Sequence, residues 1–211
     1  MLDASKSSRS LLLVMVLMIG SQVFATTVVP QNLEQLESQA QTVFVGVCTS
    51  KTAQIANGIP VTVYTFTVTQ AVKGPVQDGA TVQVRQFGPA TLQAKSSTLK
   101  TAATPPYNEG QETILFLNPP SRIGLTAPVG LGQGVFNVTR DAKGNRVIAL
   151  DPARRRMLAS KMSTSKLASN ARFTATEQTL LTDPPERVDV SAFCSLIRKM
   201  SEERERMAKG Q

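Results

Sequence analysis

From Thr42 to Leu117 apolar and polar residues alternate in four runs, TVFVGVCTSKT, VTVYTFTVTQAVKG, ATVQVRQFG and ETILFLN. Val82, Val84 and Gln86 fall opposite Gln83 and Arg85, the period of two that marks a half-buried strand. The first run is apolar on both faces from Val43 almost to Thr49, as suits a strand with a helix over one side. Asn57-Gly58 is the strongest hairpin signal in the chain and predicts antiparallel pairing of the first two runs, through a loop from Ala53 to Pro60. Lys73-Gly74-Pro75 stops the second run, and Asp78-Gly79 turns the chain into the third. A further pair, GVFNVTR and Arg146 to Leu150, is joined by a turn at Asp141 to Asn145. Together these predict a mainly β fold, a small barrel of five to six antiparallel strands.

Two amphipathic helices flank that pattern. Asn32 can cap a short helix to Gln41, with Leu33, Leu36 and Ala40 on one face and Glu34 and Glu37 on another. Near the end, Phe193, Leu196, Ile197 and Met200 fall at i, i+3, i+4 and i+7 behind a cap at Asp189 or Ser191. Glu202 to Lys209 is charged all round and reads as a solvated extension. Gly88 to Gly110 is a long Ala, Thr, Ser and Pro stretch, either a binding loop or disordered. Asp151 to Pro185 is polar and basic with no firm period. The expected organisation is a signal peptide over residues 1–25, a barrel domain with its N-terminal helix over 26–150, a basic, weakly structured linker over 151–188 and a C-terminal helix over 189–211.

The leader changes where the chain is expected to work. Lys6 and Arg9 precede the apolar run Leu11 to Ile19, and Val23-Phe24-Ala25 predicts cleavage after Ala25 and export, periplasmic or extracellular. The apolar run is far short of the roughly 20 residues that span a bilayer, so no transmembrane segment is expected in the mature chain. In an oxidising compartment Cys48 and Cys194 could bridge and tie the first strand to the last helix. The other reading makes both small buried apolar side chains.

Charge is uneven. The chain carries a formal +8, and +7 once residues 1–25 are removed. Six cations, Arg154, Arg155, Arg156, Lys161, Lys166 and Arg172, lie between Pro152 and Arg172 with no acidic residue among them. Such a run could attract an acidic protein, an anionic polysaccharide or a membrane surface, or it could be a solvated linker.

Catalytic chemistry has little to draw on. Histidine is absent, which removes the Ser-His-acid triad, the Cys-His pair and HExxH zinc sites. Between Thr42 and Arg140 the only carboxylates are Asp78, Glu109 and Glu112, too few for a paired-carboxylate site or a calcium loop. Gly130, Gly132 and Gly134 lack the spacing of a dinucleotide fingerprint and lead into a strand. Asn137-Val138-Thr139 fits a glycosylation sequon but lies in a strand. No catalytic, cofactor or metal residue is singled out. A Ser-Lys pair remains as the enzymatic alternative, an exported hydrolase.

The order of the pieces resembles the netrin-type module, the OB-fold barrel of the tissue inhibitors of metalloproteases, and a group of uncharacterised exported bacterial proteins. The resemblance rests on Val43 to Val47, Tyr64 to Val68 leading into Val72-Lys73-Gly74, Val82-Gln83-Val84, and Gly110-Gln111-Glu112 before Ile114 to Leu117. It covers residues 42 to 118 and implies an OB-like barrel. The inhibitor mechanism does not carry over. In that family an N-terminal cysteine supplies an amine and a carbonyl to the protease zinc, whereas the expected first residue here is Thr26, and the family's disulfide network is missing. OB-folds often bind oligonucleotides or oligosaccharides. Tyr64, Phe66 and Phe87 are assigned to the core instead, which disfavours nucleic acid. The expected function is that of a non-catalytic binding module of the envelope or extracellular space, with an anionic partner at residues 152–172.

Overall fold

A computed structural model describes residues 29–88, 107–162, 165, 167 and 171–210. The leader, its cleavage site, Lys166 and the interior of the Gly88 to Gly110 stretch lie outside them. Two long strands dominate, β1 (Thr42–Ala56) and β2 (Ile59–Lys73). They meet in a two-residue turn because Asn57 (φ 53°) and Gly58 (φ 75°) both take the left-handed conformation such a turn requires. The longer loop expected from Ala53 to Pro60 is therefore strand up to the turn itself.

Five shorter strands complete one open, antiparallel, seven-stranded sheet in the order β3-β2-β1-β4-β5-β6-β7. They are β3 (Thr81–Phe87), β4 (Glu112–Leu117), β5 (Val135–Arg140), β6 (Arg146–Ala149) and β7 (Arg187–Asp189). A closed barrel of five to six strands is not what forms, since β7 adds a strand that no alternation announced and the edges β3 and β7 do not pair. The sheet is nonetheless bent. Register breaks between Val43 and Phe44 and between Val45 and Gly46 each put an extra residue on β2, the break between Cys48 and Ser50 puts one on β1, and each increases the local twist. After β4 the chain pairs back at Leu117 and Pro128, and the Thr126 N–H donates to the Arg85 carbonyl on the free side of β3 at 2.7 Å.

Both faces of β1 and β4 are covered, which explains their unbroken apolar runs. Val43, Val45, Ile114 and Phe116 point to a helical layer, while Phe44, Leu115 and Leu117 point to the concave side with Tyr64, Phe66 and Val84. Tyr107, brought in from the loop before β4, closes that second cluster edge-on to Tyr64 and Phe66 at 4.9 and 5.1 Å. The assignment of Tyr64 and Phe66 to the core agrees with this packing. Phe87 does not belong there: it ends an edge strand and is 52% exposed.

The helical layer consists of α1 (Leu33–Gln39), α2 (Pro152–Ala159), α3 (Ala175–Thr182) and α4 (Val190–Lys209). Asn32 caps α1 in a capping box with Gln35, and Asp189 caps α4. The described residues of the segment expected to be a linker over 151–188 instead contribute two helices and buried side chains to this layer. Asp151 caps α2 with Pro152 in the first turn, and Thr174 caps α3 in a box with Glu177. Leu158, Met162, Leu167, Phe173 and Leu181 are buried with the α4 stripe. Those apolar residues define no single helix face because they are divided between two short helices and the turns beside them.

Candidate functional site

Capping by Asp151, whose carboxylate accepts the Arg154 N–H at 2.8 Å, starts α2 and fixes where the three consecutive arginines point. Arg154 turns inward. Its guanidinium donates to the carbonyls of Gln133 and of Val135 (3.0 Å for the latter) and lies 4.4 Å over the Phe136 ring. Burial lowers its pKa from the ordinary arginine value, opposed in part by Asp151. Arg155 donates to the Pro184 carbonyl at 2.5 Å and pairs with Asp183 at 3.1 Å, so it joins α2 to the end of α3. Arg156 and Lys161 are exposed. Arg172 pairs with Glu203 at 3.7 Å on α4.

The expected run of six cations is therefore not one patch. Among the described members Arg154 is an internal strut, Arg155 and Arg172 are ties to Asp183 and Glu203, and Arg156 and Lys161 are exposed. Arg155 and Arg156 are the members brought together. They wall an open groove of about 350 Å³ with Pro152, Ser160, Thr182 and Asp183. Arg155 is taken up by Pro184 and Asp183, and the Thr182 hydroxyl donates to the Gln178 carbonyl at 2.8 Å, so the groove offers an anionic group chiefly the Arg156 guanidinium, with Ser160 beside it.

The Cys48–Cys194 bridge, one of two readings of the sequence, is not present. Both thiols are free and buried, and they belong to different clusters, Cys48 on the concave side and Cys194 under α4. The sheet itself separates them. Burial raises both pKa values, that of Cys194 to about 12, which makes each an apolar filler rather than a thiolate nucleophile.

A polar cluster that the sequence reading missed lies between α1 and α4. Glu37, expected on the polar face of α1, has no exposed side-chain surface. Its carboxylate accepts from Lys73 Nζ at 2.8 Å, Ser201 Oγ at 2.7 Å and Arg204 Nη2 at 2.7 Å. Burial pushes the Glu37 carboxyl upward, but the hydrogen bonds from Lys73 and Ser201 and the charge of Arg204 outweigh it, and the net shift is downward. Lys73 reaches this position because Gly74 (φ 86°) lets the end of β2 pass the start of β1. A Cβ at Gly74 would stand 2.3 Å from the Gln41 carbonyl oxygen. The signal was legible in the spacing 33, 36, 37, 40, which sets Glu37 on the apolar stripe itself. A second acid, Glu203, is 4% exposed and pairs with Arg172 and Arg206, so the tail beyond Met200 is not purely solvated.

Serine and lysine do meet here, but both donate to the same oxygen of Glu37. A Ser-Lys dyad needs the amine to accept the serine proton, and this arrangement places a carboxylate between them. Among the described residues no group of three or more Cys, Asp or Glu side chains could hold a metal ion, and no helix is long and apolar enough to cross a membrane.

No protein-family model, curated protein or solved structure matches this chain. Functional assignment therefore rests on the geometry above.

Proposed function

We propose that this chain is a non-catalytic binding module that recognises an anionic group through the groove between α2 and α3. The observation that carries the reading is that Arg155 and Arg156 both line that groove, together with Ser160 and Thr182. Of the two arginines, Arg156 is exposed, whereas Arg155 is already joined to Asp183 and Pro184. Arg156 is thus the cation most available to a partner. The binding reading narrows from the whole 152–172 segment to this groove.

Separation of structural and recognition arginines gives the test. Arg156→Glu should release the protein from an anionic resin at clearly lower salt than wild type and leave the melting temperature within about 2 °C, since exposed substitutions seldom cost more than about 0.5 kcal/mol. Wild-type retention should fall steeply with salt. Arg154→Ala should instead lower the melting temperature, because it unties α2 from β5. Equal retention of wild type and Arg156→Glu at every salt concentration would remove the groove from consideration.

The proposal includes the OB-like, netrin-type reading of the sheet. The strand order β3-β2-β1-β4-β5 and the approach of the Thr126 loop to the edge of β3 favour a barrel left open on one side. It also includes export, on the strength of the Lys6 to Ala25 leader. Intact mass of protein from the native host should correspond to a chain starting at Thr26, and retention of residues 11–19 would sink the exported reading.

A further inference from the structure

We propose that the distal edge of β1, from Thr52 to Ala56, pairs antiparallel with the same edge of a second copy of this chain and joins the two sheets into one. Pairing of β1 with β4 extends only from Thr42 to Val47, whereas pairing with β2 continues to Ala56. Among the described residues the second half of β1 therefore has a neighbouring strand on one side only.

Strand parity decides which backbone groups line the vacant side. Cys48 directs its N–H to the Gln111 carbonyl and its carbonyl to the Gly110 N–H, both on the β4 side. The register break between Cys48 and Ser50 adds one residue, and Lys51 then directs its N–H to the same side, where Glu109 Oε1 accepts it at 3.0 Å. Alternation places Ala53 and Ile55 next on that side. Pro60 gives an independent check, because it stands opposite Ile55. A residue without an N–H cannot join a doubly bonded pair, so this pair is the non-bonded kind and the Ile55 backbone faces outward. No hydrogen bond among the described residues reaches the outward N–H and carbonyl groups of Ala53 and Ile55.

Among the described residues the usual protections of such an edge are missing here. Thr52 to Ala56 contains no charge and no proline, the last register break lies before it, and Ile55 is 58% exposed. A second copy is the occupant that fits. A two-fold axis through Gln54 sets Ala53 opposite the partner's Ile55, so that the two exchange both hydrogen bonds and each Ile55 side chain covers an alanine. Two copies of a chain with a formal +8 repel each other in general, and a neutral edge is where that repulsion is least. Five paired residues span roughly 17 Å, a contact smaller than a standard stable interface. The dimer is therefore weak and forms as concentration rises.

Sedimentation equilibrium of the chain from Thr26 onward, over a wide concentration series, tests this together with amide exchange. The expected result is a mass that climbs toward twice the monomer, with the Ala53 and Ile55 amides gaining protection as it does. Ala53→Pro removes an outward N–H without touching the β1–β2 ladder, and Ile55→Lys places a charge on the edge. Both should stay monomeric with wild-type melting, and Ile55→Lys serves alone if the proline variant fails to fold. Wild type that remains monomeric at the highest concentration overturns the proposal. So does a dimer that both variants form as readily as wild type.

Discussion

Phe193→Ala is expected to lower the stability of the protein by about 3–5 kcal/mol, the range for truncating a buried phenylalanine. Phe193 is the first large residue of the α4 stripe, 3% exposed, with its ring 5.2 Å from that of Phe136 and 6.4 Å from that of Phe116. Removing it takes one ring from a three-ring cluster that joins α4 to β4 and β5, and the surrounding strands cannot collapse far enough to refill the space. For a chain of this size about 1 kcal/mol corresponds to roughly 2–4 °C. The midpoint by calorimetry or circular dichroism should thus fall by about 10 °C. An unchanged midpoint would mean that α4 does not dock on the sheet in solution.

Glu37→Gln should be comparably severe, by about 3–5 kcal/mol, because it leaves Lys73 and Arg204 around a site that no longer balances their charge. This variant also has a pH signature. The folded-state pKa of Glu37 lies below its ordinary value, so the folded protein binds the proton more weakly than the unfolded chain. Its contribution is therefore complete above the ordinary carboxylate pKa of about 4.3 and is lost as pH falls through the lower folded value. Urea midpoints measured from pH 7 down to pH 3 should converge for wild type and Glu37→Gln at the acid end. Parallel curves across that range would show that the carboxylate is not ionised in the folded state.

Much of the sheet was readable from alternation alone, because β1 to β6 carry their own turn chemistry. Asn57-Gly58, Asp78-Gly79 and Asp141 to Asn145 all mark turns in place. Asp141 accepts the backbone N–H groups of Lys143 and Asn145. What escaped was whatever depends on distant partners. β7 has three residues, too few for any period, and exists because Val188 can pair with Ile148. The helices α2 and α3 are eight residues each, and their caps, Asp151-Pro152 and Thr174 to Glu177, were present in the sequence but had no long apolar stripe behind them. The arginine run illustrates the same limit for the site. Charge density was legible, but the inward turn of Arg154 toward Phe136 was not, since it depends on where β5 lies. The inward carboxylate of Glu37 was legible in part, from its position on the α1 stripe.

The Glu37 cluster also has a temporal meaning. Its hydrogen-bond partners on α4, Ser201 and Arg204, lie 164 and 167 positions further along the chain. A polypeptide that emerges amino end first presents Leu33, Leu36 and Glu37 long before the groups that cover them have been made. Until then the first helix has an apolar stripe with an acid in its midst and no lid. Contacts of such high sequence separation are slow to close and leave surface open to aggregation meanwhile. The first helix is therefore covered only once the last has been made, and shortening the chain by its final dozen residues is expected to reach back and undo the beginning.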